Sequence, residues 1–102
     1  MPRSLAQLAA HVNALRDSDK FDTDEYDGAI FALWSAMTGA HRDVLRQLLK
    51  APTYDGNVCS KSARDDLIEA GLAARCCLNF EQGYTTATYL AGSVWRVMQE
   101  HS

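Results

Sequence analysis

Three cysteines, three histidines and an acidic run at residues 17–27 are the parts of this chain best suited to chemistry. Cys59 stands alone, and Cys76 and Cys77 are adjacent. A zinc site uses spacings such as C-x₂-C with a second pair, and these cysteines lack them. Successive strand residues point to opposite faces, so Cys76 and Cys77 would not share one metal. Core packing of one and exposure of the other is expected. An odd count with an adjacent pair is a poor disulfide framework, so the thiols are predicted to be reduced. His41, Arg42 and Asp43 are helix neighbours on different faces, not an acid–base pair. His11 and His101 lie near the chain ends. Asp17 to Asp22 faintly echoes a calcium loop, but Phe21 stands where the fifth ligand belongs and Asp22 where a glycine is required. Neither a Walker A pattern nor G-x-G-x-x-G occurs. The sequence therefore predicts no catalytic residue, no cofactor and no metal. It directs attention to surfaces that touch another macromolecule.

The elements that carry those surfaces are legible from periodicity. Leu5, Leu8, Val12 and Leu15 recur at three- and four-residue steps, which predicts a first helix over 4–17. Ser4 followed by Gln7 fits a capping box. A second helix starts near Thr23 and runs to about Thr38, with Tyr26, Ile30, Leu33, Trp34 and Met37 as its apolar stripe. Gly39 is its expected stop. Its carboxylates suit the positive end of the helix dipole. A third helix over about 40–50 turns Val44, Leu45, Leu48 and Leu49 inward, and Pro52 ends it. Tyr54-Asp55-Gly56-Asn57 has turn chemistry. A fourth helix begins at Ser60 or Ser62 and stops at Gly71, where a C′ glycine takes positive φ and Leu72 closes the motif. Ala74 to Phe80 and Tyr84 to Leu90 read as two strands, joined through Glu81-Gln82-Gly83. The tail from Ser93 to Glu100 reads as a helix, with a third strand near Val94–Met98 as the alternative. Trp34 and Trp95 fall in apolar stripes and are expected in the core.

The expected fold is mainly α with a small β-hairpin, in the order α-α-α-turn-α-β-β-α. Helix, turn, helix and hairpin in that order define a winged helix-turn-helix. The chain would be a single domain, with 1–39 a helical extension and 40–102 the helix-turn-helix, wing and last helix. At 102 residues, 47% hydrophobic and 23% charged, it can bury one core without staples. The start of the chain has no apolar signal-peptide core, and no run approaches the roughly 20 apolar residues of a membrane span. An intracellular protein that does not use a membrane is expected.

In a helix-turn-helix the second helix offers its first residues to the major groove. Here Ser60, Lys61 and Arg64 would do so, with Arg75 and Gln82 on the wing. Lys61 and Arg64 can donate to phosphate or guanine, and the helix N-terminus can hold a phosphate. Charge argues the other way. Asp65 and Asp66 follow Arg64, and Glu81 sits near the wing tip. Residues 58–102 hold four basic against five acidic side chains, and the whole chain is −3. Duplex DNA favours a basic domain. Asp22, Asp24, Glu25 and Asp27 offer the alternative surface. They are either a solvated loop and dipole-matched helix start, or a negative face that docks on a basic protein.

Residues 54–75, with the D-G turn, S-K-x-x-R-D-x-L and the G-L-A-x-R exit, resemble small winged-helix proteins of bacteriophages and prophages. The threonine-rich run Gly83-Tyr84-Thr85-Thr86-Ala87-Thr88-Tyr89 completes that likeness. It covers about 45 residues of the C-terminal half and leaves the first 50 unmatched. The resemblance implies a small regulatory or inhibitory protein in the cytoplasm of a bacterial host cell. Anti-CRISPR-type inhibitors are one such class. The expected partner is a protein of a nucleic-acid-handling complex, bound by a monomer or homodimer. The alternative is a sequence-specific regulator of double-stranded DNA.

Overall fold

The computed structural model describes residues 4–20 and 23–100. Within them the chain forms five α-helices and one small antiparallel sheet: α1 (Leu5–Asp17), α2 (Asp24–Ala36), α3 (Gly39–Lys50), β1 (Thr53–Tyr54), a 3₁₀ turn (Asp55–Asn57), α4 (Lys61–Glu69), β2 (Ala73–Leu78), β3 (Glu81–Ala87) and α5 (Tyr89–Glu100).

Caps set the helix boundaries. The Ser4 hydroxyl accepts from the Gln7 N–H at 3.2 Å, and Gln7 Oε1 accepts from the Ser4 N–H at 2.9 Å, completing the expected capping box of α1. Asp19 ends α1 with a positive φ of 58°. The Lys20 N–H bonds back to Leu15 O, and the Asp19 N–H to Arg16 O. This is the Schellman closure, with aspartate where glycine is usual. The same closure ends α4: Gly71 has φ 81°, and the Leu72 N–H reaches Leu67 O at 2.9 Å. Leu67 and Leu72 are both fully buried there. Ser60, rather than Ser62, caps α4, accepting from the Ala63 N–H.

Three boundaries depart from expectation. The second helix ends at Ala36, not near Thr38, because Thr38 caps the next one. Gly39 is the first residue of α3 rather than the stop of α2. The last helix begins at Tyr89, not Ser93, so Tyr89 and Leu90 leave the predicted strand. Thr88 makes that change of direction: its N–H reaches Leu72 O and its hydroxyl Gly71 O. Leu90, Ala91, Val94 and Val97 then turn inward as one helical face.

The sheet has order β1-β3-β2. Thr53 pairs with Thr85 and Tyr54 with Tyr84, a two-residue strand too short to show a period in sequence. The hairpin turn is not Glu81-Gln82-Gly83. It is Asn79-Phe80, with φ of 53° and 68°. Two positive φ values match the I′ turn that suits hairpin twist. Gly83 instead lies inside β3 with φ 94°. Cys76 faces Tyr84 while Leu78 faces Glu81, so β3 carries one extra residue there, a bulge. A side chain at Gly83 would meet the Tyr54 ring at 3.3 Å. The glycine thus serves both the bulge and the close approach of Tyr54.

One core joins all of this. Val12 of α1, Ile30 and Leu33 of α2, Val44, Leu45 and Leu48 of α3, Leu67 of α4 and Val94 of α5 are fully or nearly fully buried in a single cluster. α1 packs on α2, α2 on α5, and α3 on α4 and the underside of β3. The connection between α3 and α4 is the ten residues 51–60, longer than the roughly 3–4-residue turn of a compact helix-turn-helix. Trp34 and Trp95 are only half-buried, meeting edge to face at 6.0 Å.

Phe80 is fully exposed in a left-handed conformation. Left-handed strain of about 1–2 kcal/mol exceeds the added chain entropy of glycine, about 0.5–1 kcal/mol. Phe80→Gly is therefore expected to raise unfolding stability by roughly 0.5–1 kcal/mol. Phe80→Ala, which keeps the Cβ, is expected to give no such gain. Urea midpoints at unchanged slope measure both.

Candidate functional site: the face between α4 and the hairpin

The residues expected to meet DNA lie on α4, on β2 and at the bulge of β3. The 3₁₀ turn after β1 brings a carboxylate among them. Asp55 Oδ1 accepts from Arg75 Nη1 at 2.6 Å and Oδ2 from Arg75 Nη2 at 2.7 Å, a bidentate fork. Arg64 Nη1 approaches the same Oδ1 at 3.1 Å. Arg64 also grips Asp65 through Nε and Nη2, at 3.0 and 2.9 Å. Arg75 Nη1 lies 3.3 Å from the hydroxyl of the buried Thr85, its partner across the sheet. Arg64 is 13% exposed, so its charge is largely removed from solvent.

The Asp55 carboxyl is held below its ordinary value of 3.8. The hydrogen bonds from Arg75 do most of this. Partial desolvation opposes them, and the charges of Arg75, Arg64 and Lys61 add to them. Arg75 is correspondingly raised, chiefly by its hydrogen bonds to Asp55. Such a carboxylate holds arginines in place and is a poor proton donor.

The other expected contacts fare differently. The Ser60 hydroxyl is occupied by its own helix end. Lys61 is exposed at the start of α4. Gln82 is exposed beside Gly83, and with Arg75, Cys76 and Cys77 it borders a shallow depression of about 240 Å³. Arg96 lies apart on α5, near Tyr89, Gly92 and Ser93. Lys61, Arg64, Arg75 and Gln82 thus share a region, but carboxylates are set among them. Of the acidic surface, Asp24 and Glu25 are exposed in the first turn of α2 and Asp27 is half-buried. Glu25 is 3.8 Å from Lys20. Asp22 lies outside the described residues.

Two further constellations were not legible in the sequence. His41 Nδ1 accepts from the Thr38 N–H at 3.0 Å, closing the cap of α3. Nε2 must then carry the proton, and it lies 2.9 Å from Asp66 Oδ2 on α4. A cavity of about 200 Å³ beside this pair is lined by Ser4 and Glu69 among others. The set of Ser4, His41 and Asp66 has hydrolase residue types, but both imidazole nitrogens are already engaged. His41 therefore has no lone pair to offer Ser4. The cysteines also differ from expectation: Cys76 is half-buried and Cys59 and Cys77 are exposed, so none fills the core. Cys59 Sγ instead approaches Gln47 Oε1, and Gln47 Nε2 donates to Asn57 O, which ties the connection to α3. Among the described residues no group of His, Cys, Asp or Glu could hold a metal ion. Among them, too, no helix is long and apolar enough to cross a membrane.

No family model, curated protein or solved structure matches the chain.

Asp55 joins two arginines, so its loss leaves both without their shared anion. Asp55→Ala is expected to lower the melting temperature at about pH 7 more than Arg64→Ala or Arg75→Ala does singly. Because the folded-state pKa is depressed, this stabilisation is fully present above the ordinary value of 3.8. It is lost as pH falls through the lower folded value. The gap between wild type and Asp55→Ala is therefore expected to narrow below that ordinary value, as thermal melts across the acid range would show.

Proposed function

We propose that this is a non-enzymatic protein that acts by binding another macromolecule, and that the macromolecule is a protein. The observation that carries this reading is the Asp55 clasp. It engages both arginines of the α4–hairpin face within the chain. A DNA-reading helix needs cations directed outward, and each phosphate it neutralises requires one. Arg64 and Arg75 face Asp55 instead, and Asp65 stands beside them.

In this reading the partner is a basic, nucleic-acid-handling protein, and the first turn of α2 meets it. Asp24 and Glu25 are exposed there, in the first turn of a helix capped by Thr23. Charge of this kind steers docking and selects the partner. An inhibitor of the anti-CRISPR kind, from a phage or prophage, is the specific form we propose. A winged-helix fold is proposed with it, on the ground that α4 is followed directly by the β2–β3 hairpin and β1 pairs on the far side of β3. The long α3–α4 connection distinguishes it from a compact helix-turn-helix.

Anisotropy with random double-stranded DNA tests this. No saturable binding is expected up to about 10 µM protein even at low salt. Salt-sensitive binding below that concentration, abolished by Lys61→Ala, would sink the proposal in favour of a DNA regulator. Capture of a host protein by the wild-type chain is expected to be lost in Asp24→Lys/Glu25→Lys and kept in Lys61→Ala. The reverse pattern would place the contact on α4.

A further inference from the structure

At the end of α2 away from its acidic turn, a second surface of opposite sign is built around the two tryptophans. α3 presents Arg42, Arg46 and Lys50 at four-residue spacing, one side of a helix. The Arg42 guanidinium stacks over Trp34, 4.7 Å from the ring centre, and donates to Trp34 O at 2.7 Å. Arg46 lies over Trp95 at 5.7 Å. The indoles meet edge to face between them. Beside Arg46 opens a groove of about 390 Å³ lined by Arg46, Leu49, Lys50 and Trp95. Lys50 is exposed, and among the described residues it has no carboxylate partner. Asp43, which holds Arg46 at 3.2 Å, is the single carboxylate of α3.

We infer that this groove is a docking site for an acidic peptide segment of a protein partner. Charge complementarity selects the occupant. The groove is lined by an indole, a leucine and two cations, of which Lys50 is unpaired and Arg46 shared with Asp43, so it suits a large apolar side chain flanked by aspartate or glutamate. Its volume falls in the range that encloses such a group. A nucleic-acid strand suits it less. Base stacking needs an open aromatic face and a track of cations. Here the Trp95 face is shared with Arg46, Arg42 is tied to the α2 backbone, and the chain is net negative. The site is independent of the acidic turn of α2 and of the clasp at Asp55.

Panning a displayed library of random dodecapeptides on the full chain tests this, with counter-selection on Lys50→Glu. Enriched sequences are expected to place Asp or Glu within a few residues of Phe, Trp or Leu. The best of them, synthesised and titrated, should shift the Trp95 indole N–H signal in a two-dimensional NMR spectrum. Lys50→Glu and Arg46→Glu, both at exposed positions, should each weaken its binding about tenfold or more. No enrichment over the counter-selection, or enrichment of basic sequences, would overturn the inference. So would tighter binding of an oligothymidylate than of the peptide. Sedimentation showing a dimer that Lys50→Glu dissociates would assign the groove to a second copy instead, and would overturn it equally.

Discussion

Asp55 is the point at which three segments distant in sequence are fixed to one another. It belongs to the turn after β1, Arg64 to α4 and Arg75 to β2. The buried cluster supplies the bulk of the driving force, as apolar burial does in any domain of this size. Apolar contacts are non-directional, however, and the connection 51–60 buries little beyond Val58. A bidentate fork has one geometry. It sets where the connection lies against the sheet and hence where Tyr54 rests between Gly56 and Gly83. An exposed ion pair would contribute little. This one has a nearly enclosed Arg64, a half-exposed Arg75 and a polar neighbour in Thr85, so orientation is its main effect.

That constraint governs what the α4–hairpin face can do. The same cations could have been directed at a phosphate backbone. Held by Asp55 and Asp65, they become part of the scaffold. The surface beside them is mixed in sign, with exposed Lys61 and Gln82 and an exposed Phe80 at the hairpin tip.

The sequence made the helices legible and left the contacts between them hidden. Ser4 with Gln7, Gly71 with Leu72 and the apolar stripes are local signals, and local signals survive in a one-dimensional reading. The hairpin is legible in the sequence, but the position of its turn is not. Gly83 draws attention as a turn former, whereas Asn79 and the bulky Phe80 occupy the left-handed positions. Composition favours glycine there, and the bulge that uses Gly83 is visible only in the register. β1 was missed because two residues cannot show alternation. In the sequence Asp55 shows only turn chemistry, which is true of its backbone. Its partners lie nine and twenty positions away on other elements, and no spacing rule pairs them. His41 and Asp66, 25 residues apart, were hidden for the same reason.

Net charge shows most clearly what pairing adds to a count. Four basic against five acidic residues in the C-terminal half gave a sound reason to doubt DNA, but it treats every arginine alike. In the fold their fates differ. Arg64 and Arg75 bind one carboxylate, Arg42 is stapled to the end of α2, and Arg46 rests on an indole while bonded to Asp43. Among the described residues Lys50, Lys61 and Arg96 are exposed and form no ion pair, although the Lys61 charge still acts on Asp55. They lie on different elements, Lys50 at the end of α3, Lys61 at the start of α4 and Arg96 on α5. Phosphate tracking needs several such cations in one line. Three cations on three different elements offer no such run along one helix or strand.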